Sequence, residues 1–220
     1  MREYHKIQTV FFRDMENNSK RLLEGQWSKP EFNLLRNIEW VCTEKIDGTN
    51  IRILWDGFQV EFKGKTDRAD IPKHLLNYLK ETFTIEKMEK EFGKNYNEED
   101  EKIKVCLYGE GFGYKIQKGS NYLGNNVSFI LFDIKVGHWW LKREDIEKIA
   151  NNLQIEIVTI IGIMTLREAI EYVRKGFKST IAQNKDYEAE GLICKPKEEL
   201  FARNGERIIT KIKTCDFKIN

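Results

Sequence analysis

The chain has 220 residues, 40% apolar and 33% charged, with three prolines; this is the balance of a packed domain and excludes disordered and fibrous classes. Its 37 basic residues nearly cancel 35 acidic ones, leaving a formal charge of +2, so any nucleic-acid surface has to be local. Four scattered cysteines, Cys42, Cys106, Cys194 and Cys215, form no Cys-x-x-Cys pair, which argues against a zinc site or a disulfide framework and suits a reducing cytoplasmic setting. The amino terminus lacks the apolar stretch and cleavage site of a signal peptide, and no apolar run reaches membrane-spanning length, so no membrane partner is expected.

In chain order, strand signals fall at 40–43, 51–55 and 60–63, with Asp56-Gly57 as a hairpin turn between the last two. Leu75, Leu76, Leu79, Phe83 and Met88 recur near helical spacing and predict a helix over 71–92. The polar run at 94–102 reads as a surface loop within one domain. Strands follow at 103–108 and 127–134, a helix at 142–153 and a strand at 155–161. A helix at 165–173 is announced by Thr165 and Glu168, spaced as a capping box, and stopped by Gly176. Strands at 191–195 and 207–213 complete an α+β pattern. Basic residues gather at Lys63, Lys65 and Arg68, at Lys115 and Lys118, and at Arg203, Arg207, Lys211 and Lys213; any one such group is ordinarily a solvated face. Gln117 and Lys118 read as a phosphate-facing loop, Trp139 and Trp140 as packing residues. His5, His74 and His138 have no metal-ligand spacing.

One segment stands out chemically. Residues 44–50 read Glu-Lys-Ile-Asp-Gly-Thr-Asn, placing Lys45 two residues before an Asp-Gly turn between predicted strands. Lys-x-Asp-Gly resembles the nucleophile motif of the covalent nucleotidyltransferases: DNA ligases, RNA ligases and mRNA capping enzymes. Further matches follow in that superfamily's order. LYGEGFG at 107–113 resembles the third motif through Glu110, FILFDI at 129–134 the base-stacking motif through Phe132, EGLICK at 190–195 the fourth through Glu190, and ITKIK at 209–213 the fifth through Lys211 and Lys213. GKTD at 64–67 puts Lys65 where relatives often carry arginine, and a lysine lacks arginine's two-pronged grip. Thr49-Asn50, with YHKIQTVFFRD near the start and GERIITKIKTCDF near the end, favours the phage-type ATP-dependent RNA ligases. For a phage protein, the cytoplasm would be the host's.

The resemblance implies an antiparallel-sheet nucleotidyltransferase (adenylation) domain of the ATP-grasp-like DNA/RNA ligase type over 1–220, without a separate carboxy-terminal domain. It implies that Lys45 takes AMP from ATP, and that Lys211 and Lys213 serve the phosphate. Glu44, Asn50, Lys65, Glu110, Phe132 and Glu190 would hold the nucleotide, with Phe132 stacking on adenine and Glu44 reading the base edge. Asp47, Glu110 and Glu190 would hold Mg2+ or Mn2+ through water. The partners implied are RNA ends, a 5′-phosphate and a 3′-hydroxyl. Lysine attacks phosphorus only as the free amine, and an ordinary lysine is about three pKa units too basic at neutral pH, so a nearby metal and the Lys211–Lys213 pair are expected to disfavour the ammonium. The rivals are a DNA ligase, a guanylyltransferase or a non-catalytic nucleotide- or nucleic-acid-binding module. Oligomeric state and template requirement are not legible.

Overall fold

The computed structural model describes residues 3–14, 16, 21–93, 104–118 and 121–218. The strands in chain order are β1 (Gln8–Thr9), β2 (Phe11–Arg13), β3 (Leu22–Trp27), β4 (Trp40–Lys45), β5 (Thr49–Trp55), β6 (Val60–Lys63) and β7 (Val105–Gly113). They continue as β8 (Val127–Val136), β9 (Trp139–Trp140), β10 (Glu156–Ile157), β11 (Ile160–Met164), β12 (Gly191–Pro196) and β13 (Thr210–Lys213). The helices are α1 (Pro30–Leu34), α2 (Lys73–Thr82), α3 (Ile85–Phe92), α4 (Arg143–Leu153) and α5 (Leu166–Lys175). The α+β class holds. Two compact units are formed, one from Met1–His5 and Asp47–Val158, the other from Lys6–Ile46 and Thr159–Asn220.

In the first unit a sheet runs β10-β8-β7-β5-β6, with β9 on β8. All its pairings are antiparallel except β10 on β8. Alternation along β5 sends Ile51, Ile53 and Trp55 to one face, where they meet Val105 and Leu107 of β7, Phe129, Leu131 and Ile134 of β8, and the apolar stripes of α2, α3 and α4. Asn50 and Arg52 fall on the other face. A β-bulge shifts the β7–β8 register: Tyr108 faces Asp133 and Gly109 faces Leu131, which leaves Phe132 as an extra residue. Phe132 and Asp133 therefore both leave the core face.

The second unit holds a sheet of order β1-β13-β12-β4-β11 and the β2–β3 hairpin. Trp40 and Cys42, Leu192 and Cys194, and Ile212 pack from its inner face against Leu166, Ala169, Ile170 and Val173 of α5. Helix α5 carries the expected capping box, in which Thr165 Oγ1 accepts from the Glu168 N–H and the Glu168 carboxylate from the Thr165 N–H; Gly176 ends it. Cys42 and Cys194 face each other across β4 and β12 with sulfurs 3.3 Å apart, as free thiols.

Three expectations need correction. The helix over 71–92 is two helices, because Phe83 closes α2 and Thr84 starts α3 by accepting the Lys87 N–H. The strand at 155–161 is also two, split at Val158 and Thr159 where the chain leaves one unit for the other; β10 pairs with β8 and β11 with β4. The last strand begins at Thr210, not at 207. The loop at 94–102 lies outside the described residues. Among the described residues no helix is long and apolar enough to cross a membrane.

Candidate active site

In the second unit, Lys45 is the last residue of β4. Across the sheet it faces Gly191 of β12, which in turn faces Lys213 of β13. Gly191 brings no side chain to this row, and Glu190, one residue earlier, reaches both lysines. Its Oε2 accepts from Lys45 Nζ at 2.5 Å and its Oε1 from Lys213 Nζ at 2.7 Å. Lys211, two residues before Lys213, lies on the same face. Gly191 is obligatory here: its φ is +149°, and a Cβ would lie 2.0 Å from the Ile212 carbonyl oxygen.

Burial, then the charges of Lys213 and Lys45, pull the Lys211 ammonium below the ordinary lysine value. Burial also pulls on Lys213, but the hydrogen bond and the charge of Glu190 outweigh it and raise that group. Three ammonium groups against one carboxylate make this face a place for phosphate oxygens. Lys45 Nζ is engaged by Glu190 in this row, so nucleophilic use of it requires that pair to open.

Glu44 is placed differently. Alternation turns it to the inner face of β4, where it is 1% exposed and accepts from Ser179 Oγ at 2.5 Å, from the Thr180 N–H at 2.8 Å and from Thr180 Oγ1 at 2.6 Å. The sheet does not bring it beside the lysines, and a carboxylate with about four acceptor sites retains one for any base edge.

In the first unit, the turn after Lys45 lies against β7: a Cβ at Gly48 would sit 2.3 Å from the Gly111 carbonyl oxygen. Tyr122 Oη accepts from the Asp47 N–H at 3.1 Å, and Gln117 Nε2 donates to the Gly48 carbonyl at 2.7 Å. Gln117 thus holds the turn itself. Beyond the turn, the polar sheet face presents Asn50 opposite Glu110, then Arg52 opposite Tyr108 and Tyr108 opposite Asp133. Among the described residues the Asn50 Oδ1 atom is buried without a hydrogen-bond partner. Phe132, half-buried, meets the edge of Tyr4 at 5.1 Å, and Tyr4 Oη donates to Asp133. Lys65 is exposed on the turn after β6.

The model of the RNA ligase family matches residues 38–213. The chain belongs to that family. Comparison with curated protein sequences gives no match. Among solved structures, the chain is similar to a variant of the Naegleria gruberi RNA ligase in its apo form, with a TM-score of 0.64 and 17% identity over 97% of this chain and 56% of that one. It is also similar to a variant of the same ligase with ATP and Mn, with a TM-score of 0.61 and 18% identity over 84% and 51%. The form with pyrophosphate gives 0.60 and 18% over 84% and 52%. At such identities the likeness is one of fold, and this RNA ligase family member spans about half the length of the chains it matches.

Among the described residues, no group of three or more His, Cys, Asp and Glu side chains is arranged to hold a metal directly. Asp47 and Glu110 in the first unit are hard oxygen donors of the kind that hold Mg2+ or Mn2+ through its hydration shell, and their chemistry fits the expected cation; Glu190, in the second unit, is a donor of the same kind. Several supporting residues of the family site escape sequence reasoning. Tyr122 is buried, and its role appears only when the loop after β7 closes on Asp47. Ser179 and Thr180 come 135 or more positions after the Glu44 they hold. Tyr4 reaches Asp133 across 129 positions. Of the two tryptophans expected to pack, Trp140 lies against Tyr4 and Tyr108, whereas Trp139 is 67% exposed.

Proposed function

We propose that the chain is an ATP-dependent RNA ligase that joins a 5′-phosphate to a 3′-hydroxyl through a lysyl-AMP intermediate on Lys45. The observation that carries this reading is the Lys45–Glu190–Lys213 bridge, which sets a lysine, the carboxylate it donates to and a second cation in one row. In the first step Lys45 Nζ, freed from Glu190 and deprotonated, bonds to the α-phosphorus of ATP as the bond to the bridging oxygen breaks and pyrophosphate leaves. Lys211 and Lys213 neutralise charge growing on the α-phosphate oxygens. An RNA 5′-phosphate oxygen then displaces Lys45 from phosphorus, and the amine regains a proton. Finally a 3′-hydroxyl attacks the 5′-phosphate and AMP departs.

Phe132 offers its ring to adenine, Asn50 its unpaired oxygen to a donor on the nucleotide, Lys65 its charge to the nucleotide, and Asp47, Glu110 and Glu190 would hold a hydrated cation. A bound Mg2+ or Mn2+ supplies charge neutralisation at the phosphates. Free cysteines support a cytoplasmic place of action.

The test is intact-mass measurement after incubation with ATP and magnesium, followed by sealing of an RNA strand supplied already adenylylated at its 5′ end. One AMP should add to the wild type and none to Lys45→Ala, which should still seal the pre-adenylylated strand. Lys213→Ala should be impaired in both assays, because the phosphate needs its cation in every step. Normal AMP addition to Lys45→Ala would refute the assignment.

A further inference from the structure

Arg52 lies in the middle of β5 with its side chain fully buried. Its Nε donates to the Gly64 carbonyl at 3.0 Å and its Nη2 to Asp67 Oδ1 at 2.7 Å. These two partners bracket Lys65 and Thr66. The same turn is closed by the Ala69 N–H donating to the Thr66 carbonyl at 3.2 Å, and a Cβ at Gly64 would lie 2.9 Å from Ala69 Cβ. One guanidinium therefore seats the whole of a tight turn on which Lys65 is exposed.

Stability does not account for an arginine here. Removing a guanidinium from water is costly, and its ion pair to Asp67 is to a carboxylate that is 64% exposed, a kind of pair that adds little. Among the described residues Nη1 is buried with no hydrogen-bond partner, a further cost. An apolar residue would avoid these losses. What the arginine supplies is geometry: its fork fixes a carbonyl and a carboxylate at once, which no apolar side chain and no lysine can do. The guanidinium also holds the Asp67 carboxyl below the usual carboxylate range.

We infer that Arg52 and Asp67 are positioning residues that clamp the 64–67 turn and thereby present Lys65 to the nucleotide. This rests on the nucleotide role proposed for Lys65. A long flexible lysine loses conformational freedom on binding, and a fixed backbone beneath it lowers that loss. The clamp therefore acts on affinity more than on the chemical step.

The experiment measures lysyl-AMP formation against ATP concentration for the wild type, Lys65→Ala, Asp67→Ala and the double variant, with thermal melts of each. Asp67 is the chosen partner because its exposed side chain can be removed without leaving a cavity. Each single change should raise KM by about tenfold, the loss of one good charge-assisted contact, with kcat within about twofold; Lys65→Ala should melt with the wild type, and Asp67→Ala should stay folded but melt lower, because the buried Arg52 guanidinium loses its carboxylate. The double variant should be no worse than the poorer single, since both act through one lysine, and Asp67→Glu should restore part of the affinity. A wild-type KM in Asp67→Ala, or single effects that multiply in the double variant, overturns the clamp while leaving Lys65 its role. A wild-type KM in Lys65→Ala, or no lysyl-AMP in the wild type, removes the nucleotide reading and the clamp with it.

Discussion

Replacing Gly191 by alanine puts a methyl group where the sheet has no room. The added Cβ would lie 2.0 Å from the Ile212 carbonyl oxygen and 2.9 Å from Lys213 Cα, against an ordinary contact that begins at 3.4 Å. Strand β13 would have to retreat by about 1.4 Å, the difference between the first and last of these distances. Overpacking of this kind costs about 1–3 kcal/mol, and forcing a side chain into a φ of +149° adds about 1–3 kcal/mol. At about 2–4 °C per kcal/mol for a chain of this size, the melting temperature should fall by about 4–24 °C. The same retreat draws Lys213 from Glu190, and a displacement of about 1 Å in a reacting constellation can cost about a hundredfold in rate. Gly205→Ala is the control: its φ is +79° with nothing within 4 Å, so it carries backbone strain without a clash and should leave lysyl-AMP formation intact. Melts and labelling with α-labelled ATP decide the matter. A Gly191→Ala protein that melts with the wild type and labels at its rate would refute the claim that glycine holds β12 and β13 together at the site.

Because burial and neighbouring cations place Lys211 below the ordinary lysine value, its charge is lost at a lower pH than that of an exposed lysine. In Lys211→Arg the cation persists, so the alkaline limb of the kcat/KM profile should move to higher pH, and an unmoved limb would detach that limb from Lys211. The buried, electrostatically opposed Lys211 also makes folding more favourable as pH rises from its folded value towards 10.5, where the unfolded chain binds more protons; this slope should be weaker in Lys211→Met melts. Thr165→Ala removes the cap of α5 and should cost about 0.5–2 kcal/mol, seen as a lower melting temperature with unchanged labelling by ATP.

How much was legible follows from the range of each interaction. The capping box of α5 needs only residues three apart, and the sequence displays it. Strands with strong alternation, such as β5 with Ile51, Ile53 and Trp55, were visible for the same reason. Phe83 and Thr84 hid the break between α2 and α3, because the apolar spacing continues through it and only the hydroxyl of Thr84 signals a new start. The motif residues Lys45, Glu190 and Lys213 could be named by resemblance, but the carboxylate bridging both ammonium groups required the register of three strands. Glu44 shows the converse: one residue from Lys45, it lies on the opposite face of β4, a consequence of the two-residue period of strands. Cys42 and Cys194, apparently unrelated in the sequence, become neighbours by the same cross-strand pairing.

The division of the second unit into two stretches bears on how the protein is made. Strand β4, which ends in Lys45, needs β12 along one side, and Glu190 arrives 145 positions after Lys45. At about 5–20 residues per second of synthesis, this strand waits roughly 7–30 s for its partner, while most of the first unit, one continuous stretch from Asp47 to Val158, can already be closing its own core. A nascent chain halted in that interval would expose the Trp40–Lys45 strand with an open hydrogen-bonding edge, the kind of edge that recruits other chains. Yield of soluble protein in the cell should therefore depend on uninterrupted translation between the two stretches, and slow codons placed in that interval should increase aggregation without changing a single residue.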